Sequence, residues 1–207
     1  MVTIAQALAR ATSGAVSVDE TAVSLRFEAE LLLMNALGCS RASLLTWPER
    51  EISPSAHASF EQALSRRLAG EPIAYILGTK EFWGFDLVVS PAVLIPRPET
   101  ELLVESALEI MTHREGIQHL LDLGTGSGAV AIALARAVER FRVIGTDLST
   151  DALALARKNG TRLAGDNLGF LQGSWLSREL CAAIGEYWQA DAAGLVDVIV
   201  SNPPYIA

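Results

Sequence analysis

The chain has 207 residues, half of them apolar, and a net charge of −8 from 24 acidic and 16 basic side chains. That is enough material for one good core and a small second one, and so acidic a chain has no general pull on phosphate backbones, which disfavours nucleic acid as the main partner. No apolar run reaches the roughly 18 residues of a membrane span. Cys39 and Cys181 form no CxxC and His57, His113 and His119 are scattered, so no metal site, disulfide framework or membrane anchor is expected, and a cytoplasmic protein is.

From the amino end, Met1 to Ala15 carries Gln6 and Arg10 inside its apolar stretch and reads as a short helix, not a signal peptide. Ser17-Val-Asp-Glu20 is a capping box. Val23, Phe27, Leu31 and Met34 follow at helical spacing, with Gly38 as the stop. Ser53-Pro54 opens another helix, where proline loses nothing at the first position. Its apolar stripe is Phe60, Ala63, Leu64 and Leu68, and Gly70 ends it. Residues 1–72 are therefore expected to form a small helical domain.

Residues 73–97 change character. Tyr75-Ile-Leu77, Gly78, Phe82-Trp83-Gly84-Phe85 and Leu87-Val-Val89 suggest a β-hairpin with aromatic faces, followed by a stretch stiffened by Pro91, Pro96 and Pro98. Pro98 can begin a helix with Glu99 and Glu101 in its first turn.

Residues 98–207 alternate strand and helix. Leu120-Leu121 leads into a glycine turn, Val130 to Ala137 reads as a helix, and Phe141 to Thr146 as a strand ending at Asp147. Asp151 to Lys158 reads as a helix, Leu168 to Leu171 as a strand, residues 185–195 as a loop or frayed helix end, and Val196 to Val200 as a buried-type strand. This order implies an α/β, Rossmann-like, parallel doubly wound sheet with ligands at the carboxyl ends of its strands.

The glycine turn is Asp122-Leu-Gly124-Thr-Gly126-Ser-Gly128. Alone it also matches a dinucleotide fingerprint. Asp122 argues otherwise: a carboxylate beside the turn repels a pyrophosphate, but attracts the α-ammonium and sulfonium of S-adenosylmethionine. Asp147, at the end of the next strand, can accept both ribose hydroxyls of an adenosine. Trp175, in Gly173-Ser-Trp175 after the third strand, could lie along an adenine face.

Asn202-Pro-Pro-Tyr205 ends the fourth strand. Each proline fixes its own φ and keeps the preceding residue out of the helical region. The rigid turn presents two acceptors, the Asn202 side-chain oxygen and the Pro203 carbonyl, which suit the two donors of a planar –NH2 group. Tyr205 can pack on the flat face of that group. Such a nitrogen is a poor nucleophile, so fixed placement matters more than a base.

Phe82-Trp83, Ile95-Pro-Arg97-Pro-Glu99-Thr-Glu101, Asp122 to Gly128 and Asn202-Pro-Pro-Tyr205 together resemble the peptide chain release factor glutamine methyltransferases, the HemK family. The resemblance implies an S-adenosyl-L-methionine-dependent enzyme that methylates the side-chain amide of the glutamine in the Gly-Gly-Gln motif of release factors. It implies cofactor contacts at Gly124, Thr125, Gly126, Ser127, Gly128, Asp147, Trp175 and Asn202. The glutamine amide would be held by Asn202, Pro203, Pro204 and Tyr205, with Asn202, Pro203 and Tyr205 at the reacting centre. Arg97 and Glu99 lie in a family motif without a derivable role, and Ser174 stands where the family has an acid.

The family's sheet continues past the fourth strand, and a βαβ unit needs about 30 residues. A fragment with an incomplete sheet is therefore expected, and its Val196 to Val200 strand would offer an unpaired edge for association. The alternatives are a methyltransferase of exocyclic amines in nucleic acid, an inactive truncated adenosyl-ligand-binding protein, and an NAD-dependent dehydrogenase, the last disfavoured by Asp122.

Overall fold

A computed structural model describes residues 2–12, 20–175, 177–188 and 196–203. The chain divides into two compact units, Met1–Leu77 and Gly78–Ala207.

The first unit is helical: α1 Ile4–Thr12, α2 Glu20–Leu37, α3 Arg41–Thr46, α4 Pro54–Leu68 and α5 Ile73–Leu77. Helix α4 starts as its sequence dictates, with Pro54 in the first turn and the Ser53 hydroxyl accepting from the Ala56 amide at 3.2 Å. Phe60 and Leu64 are buried with Ile4, Ala7, Leu32, Leu33 and Leu44. Each large side chain so buried contributes about 1.5–3 kcal/mol.

Two local expectations are corrected. Phe27 and Leu68 are 47% and 63% exposed, and α2 instead buries Ala29, Leu32 and Leu33. The sequence is apolar almost all round from Leu31 to Leu37, so spacing alone does not choose a face. Tyr75-Ile-Leu77 lies in α5 and not in a strand, because the Pro72 carbonyl accepts from the amides of Tyr75 and Ile76 and winds the segment into a turn. Residues 17–19 of the capping box lie outside the described residues.

The second unit begins with an antiparallel hairpin, β1 Thr79–Phe82 and β2 Phe85–Val88. Trp83 and Gly84 turn it with φ of 51° and 76°, the positive pair that matches strand twist in a two-residue turn. The Trp83 amide donates to Glu101 Oε1 at 3.0 Å.

The strands β3 Gln118–Leu123, β4 Phe141–Asp147, β5 Leu168–Gln172 and β6 Val198–Ser201 form one parallel sheet in the order β5-β4-β3-β6. A 3-10 turn, Pro98–Thr100, leads into α6 Glu101–Thr112; the crossovers carry α7 Ala129–Ala137, α8 Thr150–Leu163 and α9 Arg178–Trp188. The apolar runs of β3 and β4 are buried, as is α7 from Ala129 to Ala135. Strands covered in this way read as near-continuous hydrophobic stretches.

Residues 185–188, read as a loop or frayed helix end, are the last turn of α9; residues 189–195 lie outside the described ones. Strand β6 starts later than expected. Asp197 marks its threshold, donating its amide to the His119 carbonyl at 2.8 Å and accepting from the His119 amide and Arg114 Nη1. Ile199 is 49% exposed, so β6 is not covered on both faces.

The chain leaves β3 for β4 and β5 on one side, then returns to β6 on the other. Strand order thus reverses between β3 and β6, which opens a crevice at their carboxyl ends.

Candidate active site

The first wall of that crevice is the turn after β3. Gly124, Gly126 and Gly128 all have positive φ, at 73°, 54° and 83°, a conformation that costs a side-chain-bearing residue roughly 1–2 kcal/mol each. The amides of Gly124 and Thr125 both donate to the Thr146 carbonyl, at 2.9 and 2.8 Å, which ties the turn to the end of β4. Thr125 and Ser127 are largely buried and border the smaller pocket of the crevice.

Asp122 lies beneath this turn, 2% exposed. Its Oδ2 accepts from the Thr125 hydroxyl at 2.7 Å. Burial pushes its pKa up to about 6; the Thr125 hydroxyl and the Ala131 amide, near the start of α7, pull it down, and Asp147 adds to the rise. The carboxyl therefore carries a proton in mildly acid solution and a negative charge above it.

Asp147 closes β4 in the crevice. Its Oδ2 accepts from the Gly126 amide at 3.0 Å and its Oδ1 from the Ser149 amide at 2.9 Å. The cap of α8 is Ser149, whose hydroxyl accepts from the Ala152 amide. Each carboxylate oxygen has more than one acceptor site, so these bonds leave capacity for hydroxyls of a ligand.

Two adjoining pockets occupy the crevice. The larger, about 360 Å³, is lined by Gly124, Gly126, Asp147, Leu148, Trp175 and Asn202 among others. Trp175 and Leu148 are 55% and 70% exposed, large apolar surfaces at a polar site. The smaller, about 50 Å³, lies over Asp122 and is shared by the glycine turn, Leu94, Ile95, Pro96, Thr100 and Asn202. Among the described residues that line the two pockets there is no Lys, Arg or His, while two carboxyls are present.

Asn202 follows β6 and reaches both pockets. It is brought there by the register of β6 on β3, where Ser201 pairs with Leu123 and donates its hydroxyl to the Leu123 carbonyl at 2.8 Å. Asn202 Nδ2 donates to Thr100 Oγ1 at 2.9 Å. Pro203 continues from it, and Pro204 and Tyr205 lie outside the described residues.

The crevice thus brings together the turn from Gly124 to Gly128, Asp147, Trp175 and Asn202. Leu94, Ile95, Pro96 and Thr100 complete it and were not expected as site residues. The available signals were the prolines of 91–98, which mark a stiff strap but not what it covers, and the Ile95 to Glu101 motif, whose role could not be derived. Ser174 is exposed, and Arg97 and Glu99 do not line either pocket.

Residues 20–78 match the family model described as the PrmC N-terminal domain, and residues 120–188 match a methyltransferase domain. The release factor glutamine methyltransferase of Vibrio cholerae is 49% identical over 179 residues, 86% of this chain and 58% of that protein. Those of Koribacter versatilis and Bordetella pertussis are 45% and 46% identical, each over 88% of this chain and over 61% and 63% of their own length. The chain therefore spans roughly three fifths of the length of these curated relatives. Among the described residues no helix is long and apolar enough to cross a membrane. With both of its units matched in this way, the chain belongs to the family of the release factor glutamine methyltransferases.

Proposed function

We propose that this chain binds S-adenosyl-L-methionine in the crevice between β3 and β6 and carries the acceptor site for methyl transfer to a glutamine side chain of a release factor. The observation that carries the proposal is Asn202, which lines both pockets beside the glycine turn. A methyl acceptor held there would lie against a cofactor resting on the turn.

The residues present fit that cofactor. Asp122 and Asp147, with no cationic side chain among the described lining residues, favour a ligand bearing an ammonium and a sulfonium over one bearing a pyrophosphate. Asp147 is placed to accept from ribose hydroxyls, Gly124 and Gly126 let the backbone come close, and Trp175 and Leu148 offer apolar surface to an adenine. The bound cofactor supplies an electrophilic methyl group on a sulfonium.

The remaining work is placement. The Asn202 side-chain oxygen and the Pro203 carbonyl would accept from the two N–H groups of the substrate amide. Tyr205 would pack on its flat face, and Pro204 would keep the turn rigid. Fixing the nitrogen this way orients it without a dedicated base; near-attack placement contributes several kcal/mol. The Gly-Gly-Gln motif of release factors, met in the cytoplasm, is the substrate that family membership favours. Single-turnover methyl transfer to intact release factor, wild type against Asn202→Ala, tests the proposal. A loss of about a hundredfold or more is expected, with cofactor affinity falling less; an unchanged rate contradicts the amide-holding role.

A further inference from the structure

We infer that Thr100 is a positioning residue of the site, holding the Asn202 side chain in place at the border of the two pockets. The inference rests on the proposed role of Asn202 and adds a residue to it. An asparagine amide has a donor end and an acceptor end of nearly the same shape. A substrate –NH2 group is held by the acceptor end, so a site built on asparagine needs that side chain held in place. Here Asn202 Nδ2 donates to Thr100 Oγ1 at 2.9 Å, which ties the side chain to the residue that precedes α6.

Thr100 is suited to this by its place in the chain. It is the residue before α6, where a threonine hydroxyl ordinarily accepts from an amide of the first helical turn. It makes no such bond. The preceding 3-10 turn gives it helical φ and ψ of −67° and −20° and its amide bonds to the Arg97 carbonyl at 3.0 Å. The hydroxyl therefore caps no helix amide, and the residue, only 9% exposed, borders the smaller pocket. The next residue, Glu101, holds the hairpin turn through the Trp83 amide. The Pro98-Glu-Thr-Glu101 run therefore fastens the Asn202 turn with Thr100 and the hairpin with Glu101.

Thr100→Val keeps the shape and removes the hydroxyl, and no helix cap is lost with it. Thr100→Ser keeps the hydroxyl. The first readout is the side-chain NH2 pair of Asn202 in a 15N correlation spectrum, assigned by its disappearance in Asn202→Ala. In Thr100→Val the pair is expected to shift and to exchange with solvent at least about tenfold faster, the expectation for a lost hydrogen bond of ordinary strength; in Thr100→Ser it should stay close to wild type. An unmoved pair in Thr100→Val overturns the inference. The second readout is single-turnover methyl transfer to release factor. A fall of about tenfold to a hundredfold in Thr100→Val is expected for a misplaced reacting group, with affinity for S-adenosylhomocysteine and melting temperature within error of wild type, and with recovery in Thr100→Ser. An unchanged rate, or a loss that only tracks melting temperature, overturns the positioning role. If the wild-type chain binds S-adenosylhomocysteine but leaves release factor unmodified, the proposed function fails, and the Asn202 resonances still decide the contact.

Discussion

Asn159 on α8 pairs with Val88 of β2 as a neighbouring strand would. Its Oδ1 accepts from the Val88 amide at 2.9 Å, and its Nδ2 donates to the Val88 carbonyl at 2.9 Å. The same Nδ2 also donates to the Ser127 carbonyl at 2.9 Å. One fully buried side chain thus joins the hairpin to the glycine turn. Asn159→Ala would leave buried groups on Val88 and Ser127 unpaired and is expected to cost about 2–4 kcal/mol in urea unfolding of the second unit. Asn159→Asp should be at least as damaging near neutral pH, because a carboxylate would face two carbonyls. A loss below about 0.5 kcal/mol in either variant would show that the hairpin is held by other means.

Asp122 gives the chain a pH dependence of known sign. Its pKa is pushed up to about 6 from an ordinary 3.8, chiefly by burial. A carboxyl whose folded pKa lies above its unfolded value contributes stability below the unfolded value and loses it as pH rises through the folded one. Between about pH 4 and 6 the ligand-free chain should therefore lose this contribution on raising the pH, while affinity for the cationic cofactor rises. In Asp122→Asn both trends should flatten, with weaker binding at pH 7.5. Calorimetry at pH 5.5 and 7.5 measures it, and equal affinities in the wild-type chain would remove Asp122 from cofactor recognition.

Asp147 should be felt mainly in binding. Asp147→Ala is expected to weaken S-adenosylmethionine by roughly 1.5–3 kcal/mol, the range for hydrogen bonds to a charged group. Asp147→Asn keeps an acceptor and should fall between it and wild type. An alanine variant with wild-type affinity would leave Asp147 only its bonds to the Gly126 and Ser149 amides.

Gly145, inside β4, is the least replaceable glycine beside the site. A Cβ there would lie 2.7 Å from both Phe170 Cε1 and the Thr125 hydroxyl oxygen. Gly145→Ala must push back both of them, and overpacking of this kind typically costs about 1–3 kcal/mol. Displacing Thr125 would also break its bond to Asp122. The expected result is a lower melting temperature together with weaker cofactor binding; an unchanged affinity would mean that the turn absorbs the shift without losing the Thr125 bond to Asp122.

The parallel sheet was legible because β3 and β4 are apolar runs closed by Asp122 and Asp147, and because glycine turns and helices alternate with them. Once β6 was placed beside β3, Asn202 had to fall near Gly124. What spacing could not carry was contact between distant residues of unremarkable type. Thr100 and Asn202 meet across most of the second unit, and Asn159 lies just past Lys158, where the sequence reading ends its helix although α8 runs on to Leu163. The buried face of α2 was ambiguous because leucines surround it, and Pro72 wound Tyr75 to Leu77 into a helix despite their strand-like composition. Asp122 was expected beside the turn and near the ligand; it lies buried beneath the turn and borders the smaller pocket.

The central claim is that the Asn202 turn and the glycine turn together place a glutamine amide for methylation. It is tested most directly by mass spectrometry of tryptic peptides from release factor incubated with this chain and isotopically labelled S-adenosylmethionine, beside a nucleic-acid substrate in the same reaction. The account predicts the mass of one labelled methyl group on the glutamine of the Gly-Gly-Gln peptide, absent with Asn202→Ala, and none on nucleic acid. Label on nucleic-acid bases with the release-factor peptide unmodified would contradict it.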